Sequence, residues 1–273
     1  MIEKYNRPIL FYALSIIIPW ALWFVTAYVS HLEPTTFYRI TRDVLGIAGL
    51  ISPMIVAFAL MIPDKDLRRD LKMKLFHFRN TKTIYLILTC TLMLASILAA
   101  QAVSLLFGYS PTQFTFAEQA SFQGGVFSAA FFLIIAPIFE ELAWHSYGTD
   151  CLRRRFTLFT LSMIFAVFWA FWHFPLSLVK DYYQNQVAET GALYSINFIV
   201  SLFPFVILMN WLYFKTNRNI LVVIVFHFTA GYFNEIFQTH PMSKVIQTGL
   251  LILLSVVILI KDREMFFKLD YEE

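Results

Sequence analysis

Eight uninterrupted apolar runs, separated by short polar connections, make up most of the chain: 8–29, 45–62, 83–107, 125–147, 157–174, 194–213, 220–237 and 245–260. Each approaches or falls within the span of about 17 to 25 residues that a helix needs to cross a bilayer. The runs are continuous and do not alternate at period two, so they predict helices, which satisfy their own backbone in lipid, and not barrel strands. The pattern therefore predicts an all-α, polytopic integral membrane protein with about eight transmembrane helices in a single domain over residues 1–273. The charged start at 1–7 followed by an apolar run has the outline of a signal peptide. That run exceeds the ~7 to 15 residues of a signal core and no small-x-small site follows it, so the expectation is a retained first helix.

Basic residues orient such a bundle. Lys65, Arg68, Arg69, Lys72, Lys74, Arg79 and Lys82 cluster in one connection and Arg153, Arg154 and Arg155 in another, which predicts both to be cytoplasmic. By parity the two termini and the turn with Lys215 and Arg218 join them, placing 17 of the 21 basic residues inside. Only Arg39, Arg42, Lys180 and Lys244 remain outside. The connection 63–82 reads as an interfacial amphipathic segment that serves as a positive anchor, with an anionic-lipid site as the sharper alternative. The acidic tail 270–273 reads as solvated.

Composition agrees: 59% of residues are hydrophobic, 14% are charged and 30 are phenylalanine. Membrane lipids are thus the expected surroundings, in the plasma membrane if the chain is bacterial, and nothing points to nucleic acid. Cys90 and Cys151 stand in unrelated settings and read as packing residues. Neither a glycine-rich phosphate loop nor a Ser-His-Asp or Cys-His set is present.

Against this apolar background a few ionisable groups stand at membrane depth, where they are costly and mark function. Glu140 and Glu141 lie in Pro-Ile-Phe-Glu-Glu-Leu-Ala-Trp-His, His173 in Phe-Trp-Ala-Phe-Trp-His-Phe-Pro-Leu, and His227 in Ile-Val-Phe-His-Phe-Thr-Ala-Gly. The fourth and fifth runs form a hairpin turning near Arg155 and Phe156, which sets Glu140 and His173 at one level. Counting from its own turn, His227 falls nearer the cytoplasm by several ångström at ~1.5 Å per residue, unless the arginine hairpin protrudes. Residues four apart share a face, so Glu141 sits over His145. His227, Gly231, Asn234 and Glu235 form a polar stripe suited to lining a cavity. Ser195, Asn197, Ser201 and Asn210 of the sixth run either join that lining or bond between helices.

A carboxylate in apolar surroundings is a better base near neutral pH, and with a neutral histidine it can deprotonate a water. A second histidine can donate to an oxyanion. Base, water and oxyanion donor amount to a hydrolase acting on a carbonyl such as a peptide bond. Glu with two His is also a zinc donor set, although no His-Glu-x-x-His element supports it.

Glu140-Glu141-x-x-x-His145, Trp169-x-x-x-His173-Phe174-Pro175-Leu176 and the late His227 resemble the three ordered motifs of the CPBP family, the CAAX-protease and bacteriocin-processing intramembrane endopeptidases, also called Abi or type II CAAX prenyl endopeptidases. The motif-bearing core covers about 125–240. The resemblance implies Glu140 and His173 on water and His227 on the oxyanion as catalytic residues, with Glu141 in support. It implies a peptide or membrane-protein substrate and a cavity open to the cytoplasm. It leaves the cofactor open between a divalent metal such as zinc, then held by Glu140, His173 and His227, and none. The sequence departs from the family pattern at His145, where Arg is usual, at Ser146, where Gly is usual, and at Gly231, where Asn is usual. His145 can pair with Glu141, and Asn234, one turn on, can substitute as a supporting residue. The departures keep a non-catalytic relative, acting in immunity, scaffolding or peptide and lipid binding, as the alternative. A proton-coupled transporter is a third reading, against which stands the absence of an internal repeat.

Overall fold

The computed structural model describes residues 2–76, 81–122 and 127–269. Its helices are α1 (Pro8–Ser30), α2 (Thr36–Met61), α3 (Lys65–Phe76), α4 (Thr83–Leu105), α5 (Ala129–Ala143), α6 (Thr149–Arg153), α7 (Leu158–Trp172), α8 (Tyr183–Thr190), α9 (Ala192–Lys215), α10 (Ile220–Glu235), α11 (Pro241–Lys261) and α12 (Arg263–Phe267). A π-helical turn, Trp144–Gly148, joins α5 to α6 into one segment. All eight predicted runs are found in α1, α2, α4, α5–α6, α7, α9, α10 and α11. Seven of these are long and apolar enough to cross a membrane, and α10, at 16 residues, is the short one. The start of the fourth run at 125–126, the tail 270–273, and His77 and Arg79 lie outside the described residues.

Two boundaries differ from the apolar pattern for local reasons. Helix α2 begins at Thr36, well before position 45, because Thr35 caps it by accepting from Tyr38 N at 3.3 Å. Its charges pair beside each other, Arg42 Nε donating to Asp43 Oδ1 at 3.0 Å. At α5, Ser128 accepts from Phe131 N at 3.2 Å and starts the helix at Ala129.

Within each spanning window between 28% and 50% of residues are buried, and the rest lie on the outer surface or along the cavity described below. Hydrocarbon covers that surface without a hydrophobic penalty, and close packing of the inner faces holds the bundle together. Helices α1 and α2 form an antiparallel pair closed by Trp23, whose Nε1 donates to Gly46 O at 3.0 Å. A Cβ on Gly49 would stand 2.3 Å from that same nitrogen, so only glycine fits there. Trp23 meets Trp172 edge-on at 4.6 Å between ring centroids, and Trp172 meets Trp144 at 5.4 Å. These tryptophans join α1, the π-turn after α5, and α7.

Helix α3 is amphipathic as expected, with Leu67, Asp70, Leu71 and Lys74 on its inner stripe. Lys74 is not a solvated anchor, however; only 2% of it is exposed. Lys74 Nζ donates to Ser146 O at 2.8 Å and pairs with Asp150. Burial pulls its ammonium below the usual range, and the two facing aspartates, Asp150 and Asp70, work against that. Tyr5 donates to Asp70 at 2.5 Å, and Tyr213 donates to His145 O at 2.9 Å. The irregular turn carrying His145 and Ser146, whose carbonyls a π-turn leaves partly free, is thus held from beneath by α3 and α9.

The α9–α10 turn places Asn217 and Arg218 at φ 56° and 61°, a left-handed conformation that non-glycine residues adopt at a cost. The strain is offset where Arg218 Nη2 meets Asp150 Oδ2 at 2.5 Å and Asp70 Oδ2 at 2.8 Å. Burial opposes its charge, but Asp150, Tyr213 and Asp70 hold the guanidinium well above its ordinary pKa.

Candidate active site

Pro137 removes one backbone donor from α5 a turn before Glu140 and Glu141, and both glutamates are buried. Their carboxylates face different partners. Glu140 Oε2 accepts from Trp169 Nε1 at 2.9 Å, and the side chain borders a cavity of about 410 Å³. Glu141 does not border it. Its Oε1 accepts from His227 Nδ1 at 2.8 Å and its Oε2 pairs with His145 Nδ1.

The two catalytic candidates among the histidines are each anchored through Nδ1. His173 Nδ1 donates to Trp169 O at 2.7 Å, leaving Nε2 without a proton and available as an acceptor. His227 is anchored by Glu141, with Nε2 left over. Both histidines line the cavity with Glu140. Trp169 is the common wall: its ring lies 5.2 Å from that of His227 at 89°, and 5.6 Å from that of His173.

The level of His227 resolves the depth mismatch expected from counting residues. Nine residues separate Glu141 from Asp150, and nine separate His227 from Arg218. Because Arg218 bonds Asp150, the α9–α10 turn sits beside α6 and not at the Arg155 turn. His227 therefore meets Glu141 directly, and no protruding hairpin is needed.

His145 stands between two acceptors. Ser162 Oγ donates to Leu158 O at 2.7 Å, so it can only accept from Asn210 Nδ2, 2.9 Å away. That turns Asn210 Oδ1 toward His145 Nε2 at 3.1 Å, while Nδ1 faces the Glu141 carboxylate. Acceptor oxygens thus face both ring nitrogens of His145, at the position where the family motif carries arginine. Asn210 thus bonds between helices, whereas Asn197 and Ser201 line the cavity and Ser195 donates to its own helix at Gly191 O.

The polar stripe of α10 lines the cavity as a set: His227, Gly231, Asn234 and Glu235 all border it. Asn234 Nδ2 donates to Ala230 O at 2.9 Å, so that amide hydrogen bond turns back onto its own helix. A Cβ on Gly231 would meet only Leu133 Cδ2, at 3.2 Å. Lys244 and Glu235 form a further charged pair on the cavity wall, 3.6 Å apart. Sequence reasoning counted Lys244 only among the basic residues outside, because it stands just before the last apolar run.

The possible metal set is tested by its donors. Glu140 and His173 each spend one polar atom on Trp169 and His227 one on Glu141, which leaves both histidine Nε2 atoms as the donors a metal would use, although among the described residues no three His, Cys, Asp or Glu side chains converge closely enough to hold a metal ion.

Leu50, Met93, Phe205, His227 and Leu251 border the cavity from the middle of their helices, and its other lining residues come from the half of the bundle remote from the termini. The lining comes from α5 up to Glu140, the ends of α7 and α10, the beginnings of α9 and α11, and the connections around 121–122, 182–190 and 239–241. No described residue of α3, or of the turns 154–157 and 216–219, borders it.

A family model of the type II CAAX prenyl endopeptidases, Rce1-like, matches residues 122–233, which hold all three motifs. A curated relative from Methanococcus maripaludis, named CAAX prenyl protease 2, is 34% identical over 269 residues, covering 97% of this chain and 97% of its own. At that identity and coverage, with Glu140, His173 and His227 bordering one cavity, the chain belongs to the CAAX prenyl protease family of membrane endopeptidases.

Proposed function

We propose that this protease hydrolyses a peptide bond of a membrane-associated protein or peptide with a water activated by Glu140 and His173. The observation that carries this reading is that Glu140, His173 and His227 border one cavity after each has spent one polar atom on a structural bond. A water between Glu140 and the His173 Nε2 lone pair gives its proton to the carboxylate and attacks the carbonyl carbon. The oxygen that gains charge is met by His227 Nε2–H, whose imidazolium form is supported by Glu141. Glu140 then passes the proton to the leaving amine, which restores the carboxylate. His145 balances the charge of Glu141, and Asn234 supports the wall.

The 17-to-4 distribution of basic residues supports an orientation with both termini in the cytoplasm. The cavity then lies in the opposite half of the membrane. That orientation stands against the cytoplasmic opening that the resemblance implies.

The test compares membrane and secreted peptides from cells expressing the wild-type chain or Glu140→Gln at equal levels. Loss of a peptide or trimmed terminus in the variant supports hydrolysis and identifies the substrate. A deletion phenotype that Glu140→Gln fully complements rejects it in favour of a non-catalytic, binding role, the reading that His145 and Gly231 would then mark.

A further inference from the structure

Helix α3 follows α2 after three residues and precedes α4, so it lies where two spanning helices end, at the level of the bilayer surface. Its outer stripe is Lys65, Arg69, Lys72, Met73 and Phe76, at i, i+4, i+7, i+8 and i+11 of one face. All five are exposed, Phe76 at 75%. The side chains of the three cations form no hydrogen bond or ion pair with any described residue, and the nearby carboxylate of Asp66 is offset by Lys4 at 3.0 Å. Cations with nothing to offset them, set beside bare apolar side chains, are the composition of a helix that lies in a lipid interface.

We infer that this stripe is a docking surface for the headgroups of anionic phospholipids, and that lipid seated there stiffens the π-turn Trp144–Gly148 through Lys74. Lys74 stands on the opposite face of α3, its Nζ donating to Ser146 O at 2.8 Å, to Tyr5 Oη at 2.9 Å and to His145 O at 3.4 Å, and it pairs with Asp150. Loosening the turn either withdraws its carbonyls from Lys74 or draws Lys74, and α3 with it, out of the bundle. A lipid surface that fixes α3 from outside opposes the second route. The turn carries His145, whose Nδ1 pairs with Glu141, the residue that anchors His227. Anionic lipid thus steadies side chains beside the cavity from the far end of the bundle. Met73 and Phe76 favour a lipid surface over a soluble anion, because interfacial binding gains from buried apolar area as well as from charge.

Hydrogen exchange is measured on the full-length protein in nanodiscs of phosphatidylcholine alone or of phosphatidylcholine mixed with phosphatidylglycerol, an experiment that needs neither substrate nor turnover. Each basic side chain near an anionic surface strengthens association about fivefold, so the mixed discs should slow exchange of the α3 and π-turn amides by about tenfold or more. The triple variant Lys65→Gln, Arg69→Gln, Lys72→Gln changes only exposed side chains; it should exchange alike in both discs and match the wild type in phosphatidylcholine. Lys74→Gln should keep the lipid effect on α3 and lose it at the turn. Equal exchange of wild-type α3 in the two discs, a lipid effect that survives the triple variant, or one that reaches the turn without Lys74 overturns the inference. An equal slowing over every helix overturns it as well, as does inorganic phosphate reproducing the effect in phosphatidylcholine discs, which would mark a site for a soluble anion.

Discussion

Arg218 Nη2 lies 2.5 Å from Asp150 Oδ2, and this pair sets the depth at which His227 meets Glu141. Asp150 is fully buried, and Lys74 and Tyr213 also converge on it. Removing one partner of a buried pair costs about 3–5 kcal/mol, because the other is left without compensation. Arg218→Met is therefore expected to lower the thermal unfolding midpoint in detergent and to reduce cleavage more than its folded fraction explains. A variant that stays as stable and active as wild type would show that the turn is held by other contacts.

The indole of Trp169 holds Glu140 by a single hydrogen bond. Trp169→Phe keeps most of the ring but removes Nε1–H, leaving Glu140 Oε2 without its donor. The expected result is a fall of about tenfold in kcat, in line with the ~1.5–3 kcal/mol of a hydrogen bond to a charged group, with little change in KM. An unchanged kcat would mean that Glu140 is positioned by its helix alone.

Gly231 occupies the position where the family motif carries Asn. The nearest atom to an added Cβ is the flexible end of Leu133, at 3.2 Å, so Gly231→Asn should fold with a small shift of that side chain. It adds an amide donor one turn from His227. A donor to a developing oxyanion is worth about 10²-fold or more where fully formed, so a rise in kcat of about tenfold is the expected outcome. Gly231→Ala, which fills the same space without a donor, should give no gain.

Orientation is open to a direct reading. A reporter active only in the cytoplasm, fused after Glu273, should be active, and one placed in the α8–α9 connection near Gly191 should not. That result puts the cavity in the outer half of the membrane and favours exported peptides as substrates. The reverse puts the cavity on the cytoplasmic side, favours prenylated cytoplasmic proteins, and makes this chain an exception to the positive-inside distribution.

Gly148 closes the π-turn against α1. A Cβ there would stand 2.8 Å from the Phe11 ring and 3.0 Å from the Tyr12 hydroxyl, so Gly148→Ala is expected to cost about 1–3 kcal/mol by overpacking. Thermal unfolding measures it, and Phe11→Leu should recover part of the loss.

The apolar runs determined the helices, because a lipid-spanning segment must satisfy its own backbone and leaves a continuous signal wherever it does so. The cost of charge in hydrocarbon likewise singled out Glu140, Glu141, His173 and His227, and the four-residue repeat of a helix paired Glu141 with His145. The depth of His227 could not be counted from the sequence, because it depends on Arg218 reaching across to Asp150, a contact between residues 68 positions apart. Lys74 read as a surface anchor for the same reason: a side chain's burial depends on which segments close over it. Asn210 and Ser162 gained their roles only when helices distant in sequence brought them together. Local physics, period and hydropathy, wrote the elements and the candidate groups into the chain, while the level, the partners and the facing of each group were decided by packing between helices.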